Sequence, residues 1–196
     1  VYTFGKSGKK EHLLIDESEA RRRGIEIFWI DRGGDITFHG PGQLVGYPIF
    51  DLHDHYLDVG RFLRDLEECL IRTLSDFEIR AGRIEGLTGV WVENKKVAAI
   101  GVKLSRWITK HGFALNVNTN LSYFNHIVPC GISDKPVTSM QQLLGDEVDM
   151  AAVIRQVIVH FEEIFSIKLT PVSLEQIAEE AVPPAPSMDH FTGWAG

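Results

Sequence analysis

The sequence predicts an α+β fold, and three observations predict it. Two apolar stripes at helical spacing lie far apart, over residues 59–77 and 147–165. Short β-type runs, rich in β-branched and aromatic residues, gather before and between them. Helical and strand segments do not alternate regularly, which argues against a doubly wound parallel sheet. The chain of 196 residues is about the size of one large domain, long enough to bury a substantial core.

The elements follow in order. "DESEARRR" (16–23) predicts a short helix with Asp16 or Ser18 at its start and Gly24 as its stop. "IEIFWI" (25–30) reads as a strand, and the glycine- and proline-rich stretch 32–48 as mostly loop, with residues 43–50 returning as a strand. Over 59–77, Leu63, Leu66, Leu70, Leu74 and Phe77 recur every three or four residues and make one helical face. Two runs, 88–93 and 96–104, join at Asn94-Lys95 as a hairpin, and 111–118 supplies a further strand. A second long helix covers 147–165, with Met150, Val153, Val157, Phe161 and Ile164 inward and Asp146 or Asp149 at its N-terminus. The tail "AVPPAPSMDHFTGWAG", with three prolines within 183–186, reads as extended or disordered.

Composition narrows the function. A net charge of −7 argues against a general nucleic-acid binder, while leaving local basic patches to dock an acidic partner. Two cysteines are too few for a disulfide framework, so a reducing compartment is the simpler expectation. No apolar run approaches the ~20 residues of a membrane helix, and no signal peptide is visible. The chain opens on Val1 rather than Met, so an upstream segment is expected to be missing.

Three places carry candidate chemistry. In "DRGGDITFHGPGQ" (31–43), glycines let backbone approach a ligand closely, Arg32 suits a carboxylate or phosphate, and His39 suits proton transfer or hydrogen bonding. The same loop reads equally well as a solvated surface turn, and it lacks the spacing of a phosphate or dinucleotide loop. In "KKVAAIGVK" (95–103), Lys96 opens a strand just ahead of Ala98, Ala99 and Gly101, small residues that leave room for an apolar chain, whereas Lys95 and Lys103 read as solvated. In "IVPCGISDKPVTSM" (127–140), Cys130 stands between Pro129 and Gly131, either a nucleophile or a small residue in a tight turn. A thiol needs a nearby cation or base to ionise at neutral pH, and Lys96 and His111 are the rival partners. Cys69, bordering the apolar stripe, reads as a small buried hydrophobe. "HDH" (53–55) lacks further ligands at metal spacing, so no metal is expected.

Taken together, "VYTFGKS", "RGGDITFHGPGQLVGYPIFDL" and "KKVAAIGVKLSRWITKHGFALNVNTNLSYFNHIVPCGISDKPVTSM" resemble the octanoyltransferases of lipoate biosynthesis, within the lipoyl/biotin protein ligase superfamily. The resemblance runs from Val1 to about Phe165. It implies a single α+β domain over 1–170, a mixed β-sheet core flanked by helices, with residues 171–196 as an extension. It implies transfer of an octanoyl group from octanoyl-acyl carrier protein to a lysine of lipoyl domains in 2-oxoacid dehydrogenase subunits or glycine-cleavage H protein. The catalytic pair falls on Cys130, the acyl-thioester nucleophile, and Lys96. Substrate-binding segments fall on Arg32, Gly33, Gly34, Asp35, Ile36, Thr37, Phe38 and His39, on Ala99, Ile100 and Gly101, and on Gly112, Phe113 and Ala114. Phe113 stands where leucine is also common, which reshapes the acyl tunnel. No cofactor, nucleic acid or membrane is implied; a cytoplasmic monomer is the default, with the mitochondrial matrix as the other compartment. The competing readings are an ATP-dependent lipoate ligase, which needs no cysteine, and a non-catalytic module that binds lipoyl domains.

Overall fold

The computed structural model describes residues 1–128 and 136–181. Cys130 and the proline-rich tail from residue 182 onward, both singled out from the sequence, lie outside the described residues. The expected α+β architecture holds, with two sheets rather than one. The small sheet has β1 (Tyr2–Phe4) at its centre, parallel to β2 (Ile27–Trp29) and antiparallel to β3 (Ile36–Phe38). The large sheet is antiparallel, in the order β4 (Gln43–Gly46), β8 (Ile108–Asn116), β7 (Lys95–Ser105), β6 (Leu87–Val92), β5 (Gly82–Ile84).

Helix α1 (Glu17–Arg22) starts where Asp16 accepts a hydrogen bond from the Glu19 N–H at 2.7 Å, and the chain turns away at Gly24, φ +67°. Helix α2 (Val59–Asp76) is capped by Asp58, which accepts from the Arg61 N–H at 2.9 Å. Its Phe62, Leu66, Leu70 and Leu74 are fully buried against α4 and the large sheet. A five-residue helix α3 (Met140–Leu144), too short to show a period, precedes α4 (Met150–Phe165). Asp149 caps α4, and Val153, Val157, Phe161 and Phe165 face the core, while Met150 and Ile164 lie at its margin. Helix α5 (Leu174–Ala181) falls in the stretch read as an extension. Among the described residues, no helix is long and apolar enough to cross a membrane.

Several boundaries move. The β6–β7 hairpin pairs Val92 with Lys95, so its turn is Glu93-Asn94, one residue earlier than the sequence suggests, with Glu93 at φ +53°. The strand expected at 111–118 begins at Ile108, because the Arg106-Trp107 turn, both residues at positive φ, folds β8 straight back on β7. The loop expected over 32–48 contains β3, whose three residues gain strand geometry from pairing with β1.

One charge in the core is unexpected. Glu67 lies on the buried face of α2 and is fully inaccessible, yet its carboxylate is satisfied on every side. It accepts from the Gly89 N–H at 3.0 Å and pairs with Arg64 at 2.7 Å and Arg83 at 3.0 Å. It thereby ties α2 to β6 at the bulge between Val90 and Trp91, beside the Lys96 side chain. Glu67→Ala is expected to cost about 1–3 kcal/mol, since the buried Gly89 N–H loses its acceptor. Urea unfolding of the two proteins measures the difference.

Candidate active site

A narrow cavity lies between the glycine-rich loop and the face of β7 and β8. It is lined by Arg32, Gly33, Gly34, Thr37 and His39 from the loop, by Ala99, Ile100 and Gly101 from β7, and by Gly112, Phe113 and Ala114 from β8. Of the fourteen substrate-binding residues expected from the sequence, these eleven converge on it. The register accounts for the convergence, since Ala99, Ile100 and Gly101 pair with Ala114, Phe113 and Gly112. Asp35, Ile36 and Phe38 go elsewhere. Ile36 and Phe38 are buried in the core of the small sheet. Asp35 caps the Ile36 N–H at 2.7 Å, accepts from the Lys9 N–H at 3.2 Å and pairs with His12.

Arg32 is buried, but its guanidinium serves the protein itself. It donates to the Thr3 carbonyl at 2.6 Å, to the Thr3 hydroxyl at 2.9 Å and to the Gly33 carbonyl at 2.9 Å. The sequence suggests a ligand anion for this cation; in the structure it holds the loop to β1 and presents its edge to the cavity.

His39 belongs to a polar chain that crosses the site. Gln43 donates through Nε2 to the Phe38 carbonyl at 3.2 Å and to Asn116 Oδ1 at 2.9 Å. Its Oε1 must therefore accept from His39 Nδ1, at 2.9 Å, which assigns the proton to Nδ1 and leaves Nε2 as the basic nitrogen. Asn116 Nδ2 in turn donates to the Thr138 carbonyl at 3.0 Å. Neither Gln43 nor Asn116 stands out in the sequence, where each reads as an ordinary polar residue of a strand.

Lys96, the second residue of β7, is half-buried, with its ammonium 4.8 Å from the centre of the Trp91 ring. Gly89 lies beside its stem, and glycine is required there because the backbone sits at φ +124° and a Cβ would lie 2.7 Å from the Ala98 carbonyl. The Lys96 backbone pairs with the chain just downstream of Cys130: its N–H donates to Pro136 O and its carbonyl accepts from the Thr138 N–H, both at 2.9 Å. Upstream of Cys130, the Val128 N–H donates to His12 O and the Leu14 N–H to His126 O, both at 2.8 Å. A second hollow, lined by Lys96, Leu63 and Thr88, shares Gly33, Gly34, Ala99, Ile100 and Gly101 with the first.

His111 lies at the other end. It pairs across the sheet with Val102, six residues along β7 from Lys96, about 20 Å at ~3.3 Å per residue. Its Nε2 meets Asp31 at 2.6 Å, and Asp31 also pairs with Lys103 at 2.6 Å. Hydrogen bonds from Lys103 and His111 hold the Asp31 carboxyl well below the usual range. Lys103, read from the sequence as solvated, is thus an ion-pair partner. Cys69 is fully buried, and burial pushes its thiol up to about 12, as a structural cysteine requires.

The two-sheet α+β domain has the fold of lipoate-protein ligases. Lipoate-protein ligase A bound with ATP superposes with a TM-score of 0.71 at 17% identity, covering 91% of this chain and 76% of that one. The bipartite lipoate protein ligase of Thermoplasma acidophilum gives 0.69 at 18%, covering 91% and 74%. Residues 1–162 match the family "Lipoyl protein ligase A/B catalytic domain", and the chain belongs to it. Within that family it resembles octanoyltransferases. It is 54% identical to that of Cytophaga hutchinsonii over 86% of this chain and 72% of its relative, and 54% identical to that of Solibacter usitatus over 87% and 77%. It is an enzyme of acyl transfer in protein lipoylation.

Burial, with a smaller push from the Arg32 charge, lowers the His39 pKa below its ordinary 6.5, so the neutral form is favoured in the folded protein. The stability that His39 contributes is therefore complete above pH 6.5 and lost as pH falls through the lowered value. An NMR titration is expected to show His39 mostly neutral at pH 6.5, with its midpoint lower still.

Proposed function

We propose that this chain is an octanoyltransferase that carries the acyl group on Cys130. The observation that carries this reading is the pairing of Lys96 with Pro136–Thr138, together with the pairing of residues 12–14 with 126–128. Cys130 stands two residues beyond Val128 and six before Pro136. The downstream end of its segment is paired with the backbone of the lysine itself, and the upstream end with the backbone of His12, which supports a Cys130 side chain within reach of Lys96.

The chemistry follows in two halves. The Lys96 ammonium favours the Cys130 thiolate. The thiolate attacks the carbonyl of octanoyl-acyl carrier protein, the tetrahedral intermediate collapses with cleavage of the C–S bond to the carrier, and the departing phosphopantetheine thiolate takes its proton from the Lys96 ammonium, which leaves Lys96 neutral. One thioester replaces another, so the step needs no ATP. The ε-amine of a lipoyl-domain lysine, on a 2-oxoacid dehydrogenase subunit or glycine-cleavage H protein, then attacks the new thioester. Neutral Lys96 accepts the amine's proton, the C–S bond breaks, and the amide forms with the Cys130 thiolate regenerated. Backbone N–H groups of the glycine-rich loop are the donors proposed for the oxyanion, while the unprotonated Nε2 of His39 offers a second polar contact in the pocket as an acceptor. The small residues Ala99, Gly101, Gly112 and Ala114 form the slot for the octanoyl chain.

Incubation with octanoyl-acyl carrier protein in the absence of ATP is expected to add one octanoyl group to the protein by intact mass. Cys130→Ser is expected to abolish that adduct. A folded wild-type protein that forms no adduct, or one that modifies a lipoyl domain solely from free acid and ATP, contradicts the reading, the latter in favour of a ligase.

A further inference from the structure

We propose that Ile30 and His111 form the end wall of the acyl slot and set the length of chain it accepts. The inference rests on the acyl-transfer reading for the identity of the chain, and on geometry for the wall. The slot runs along β7, with Ala99 and Ala114 at the end nearer Lys96, and the hollow that reaches Lys96 lies beside it, sharing Gly33, Gly34, Ala99, Ile100 and Gly101 and extending to Val102. At the opposite end a solvent-facing trough, lined by Lys6, Trp29, Asp31 and Lys110, lies just outside. Ile30 and His111 line both the slot and the trough. These two side chains are therefore a partition between an apolar interior and a charged exterior.

The partition is held firmly. His111 Nε2 meets Asp31 Oδ1 at 2.6 Å, and Asp31 is fixed in turn by Lys103 at 2.6 Å and Lys110 at 3.4 Å. The Tyr47 ring packs edge-on to the imidazole, with centroids 6.3 Å apart. The His111 backbone sits at φ +62°, an uncommon conformation for a residue with a Cβ, and interrupts the alternation of β8 just before Gly112. Gly112 cannot be the wall, because a Cβ there would already lie 2.1 Å from the Gly46 carbonyl. A methyl terminus that reaches the wall rests on Ile30 and the imidazole. A longer chain has to displace the imidazole from Asp31 and strip water from a charged cluster, which apolar contact does not offset.

Isothermal titration of the wild-type protein, His111→Ala and Ile30→Ala with octanoate, decanoate and dodecanoate tests the wall without involving Cys130. Wild type is expected to bind octanoate best. Each variant is expected to raise the ratio of dodecanoate to octanoate affinity at least tenfold, because the slot then opens into the trough. If His111→Ala fails to fold, as judged by circular dichroism, Ile30→Ala alone decides. Ratios within twofold of wild type in the folded variants, or no binding of any of the three acids to wild type, overturn the inference. Failure of the Cys130 adduct to form bears on the transferase reading and leaves these titrations as they stand.

Discussion

The site depends on one contact between backbones. The Gly33 N–H donates to the Val102 carbonyl at 3.0 Å, laying the glycine-rich loop directly on β7. A Cβ on Gly101 would sit 2.8 Å from the Gly33 carbonyl, so any side chain there forces the loop away. The Arg32 guanidinium then closes over the same turn and fastens it to Thr3 of β1. The slot is the space left beside the place where loop and strand approach most closely, Gly33 against Gly101 and Val102. Its walls are small because the contact demands it, and small walls are also what a straight acyl chain needs.

The same contact joins the two sheets. From the loop, hydrogen bonds pass through His39, Gln43 and Asn116 to Thr138, and from Thr138 to the Lys96 backbone. Elements far apart in sequence are thus held in one frame that ends on the backbone of Lys96. Glu67 braces the opposite side, fixing the bulge of β6 against which the Lys96 side chain lies. The Arg32 and Glu67 charges hold backbone, which suits the proposed transfer of an acyl group from sulfur to nitrogen, a reaction that needs its reacting groups placed rather than supplied with energy.

Much of the fold was legible because its signals are local. The leucine stripe of α2 and the apolar face of α4 announce themselves by period, and Asp58 and Asp149 cap where an aspartate should. What stayed hidden was long-range. Ile36–Phe38 is too short to alternate visibly and becomes a strand through β1, some thirty residues away. Glu67 reads as a solvated charge until Arg83 and Gly89 are brought to it. Asp31 and His111 are eighty residues apart, so their pairing has no local signature. Residues 32–39, 99–101 and 112–114 were identifiable as a set through family resemblance, whereas the division of 32–39 into cavity-lining and core-facing residues required the fold.

The central claim is that Lys96 lies close enough to Cys130 to govern its ionisation. The rate of Cys130 alkylation by iodoacetamide, followed against pH in wild type and Lys96→Ala, tests it most directly. The account predicts a thiol in wild type that titrates below an ordinary cysteine, and in Lys96→Ala a midpoint shifted upward by about one pH unit or more, with slower alkylation at pH 7. Superimposable profiles in the two folded proteins would contradict it.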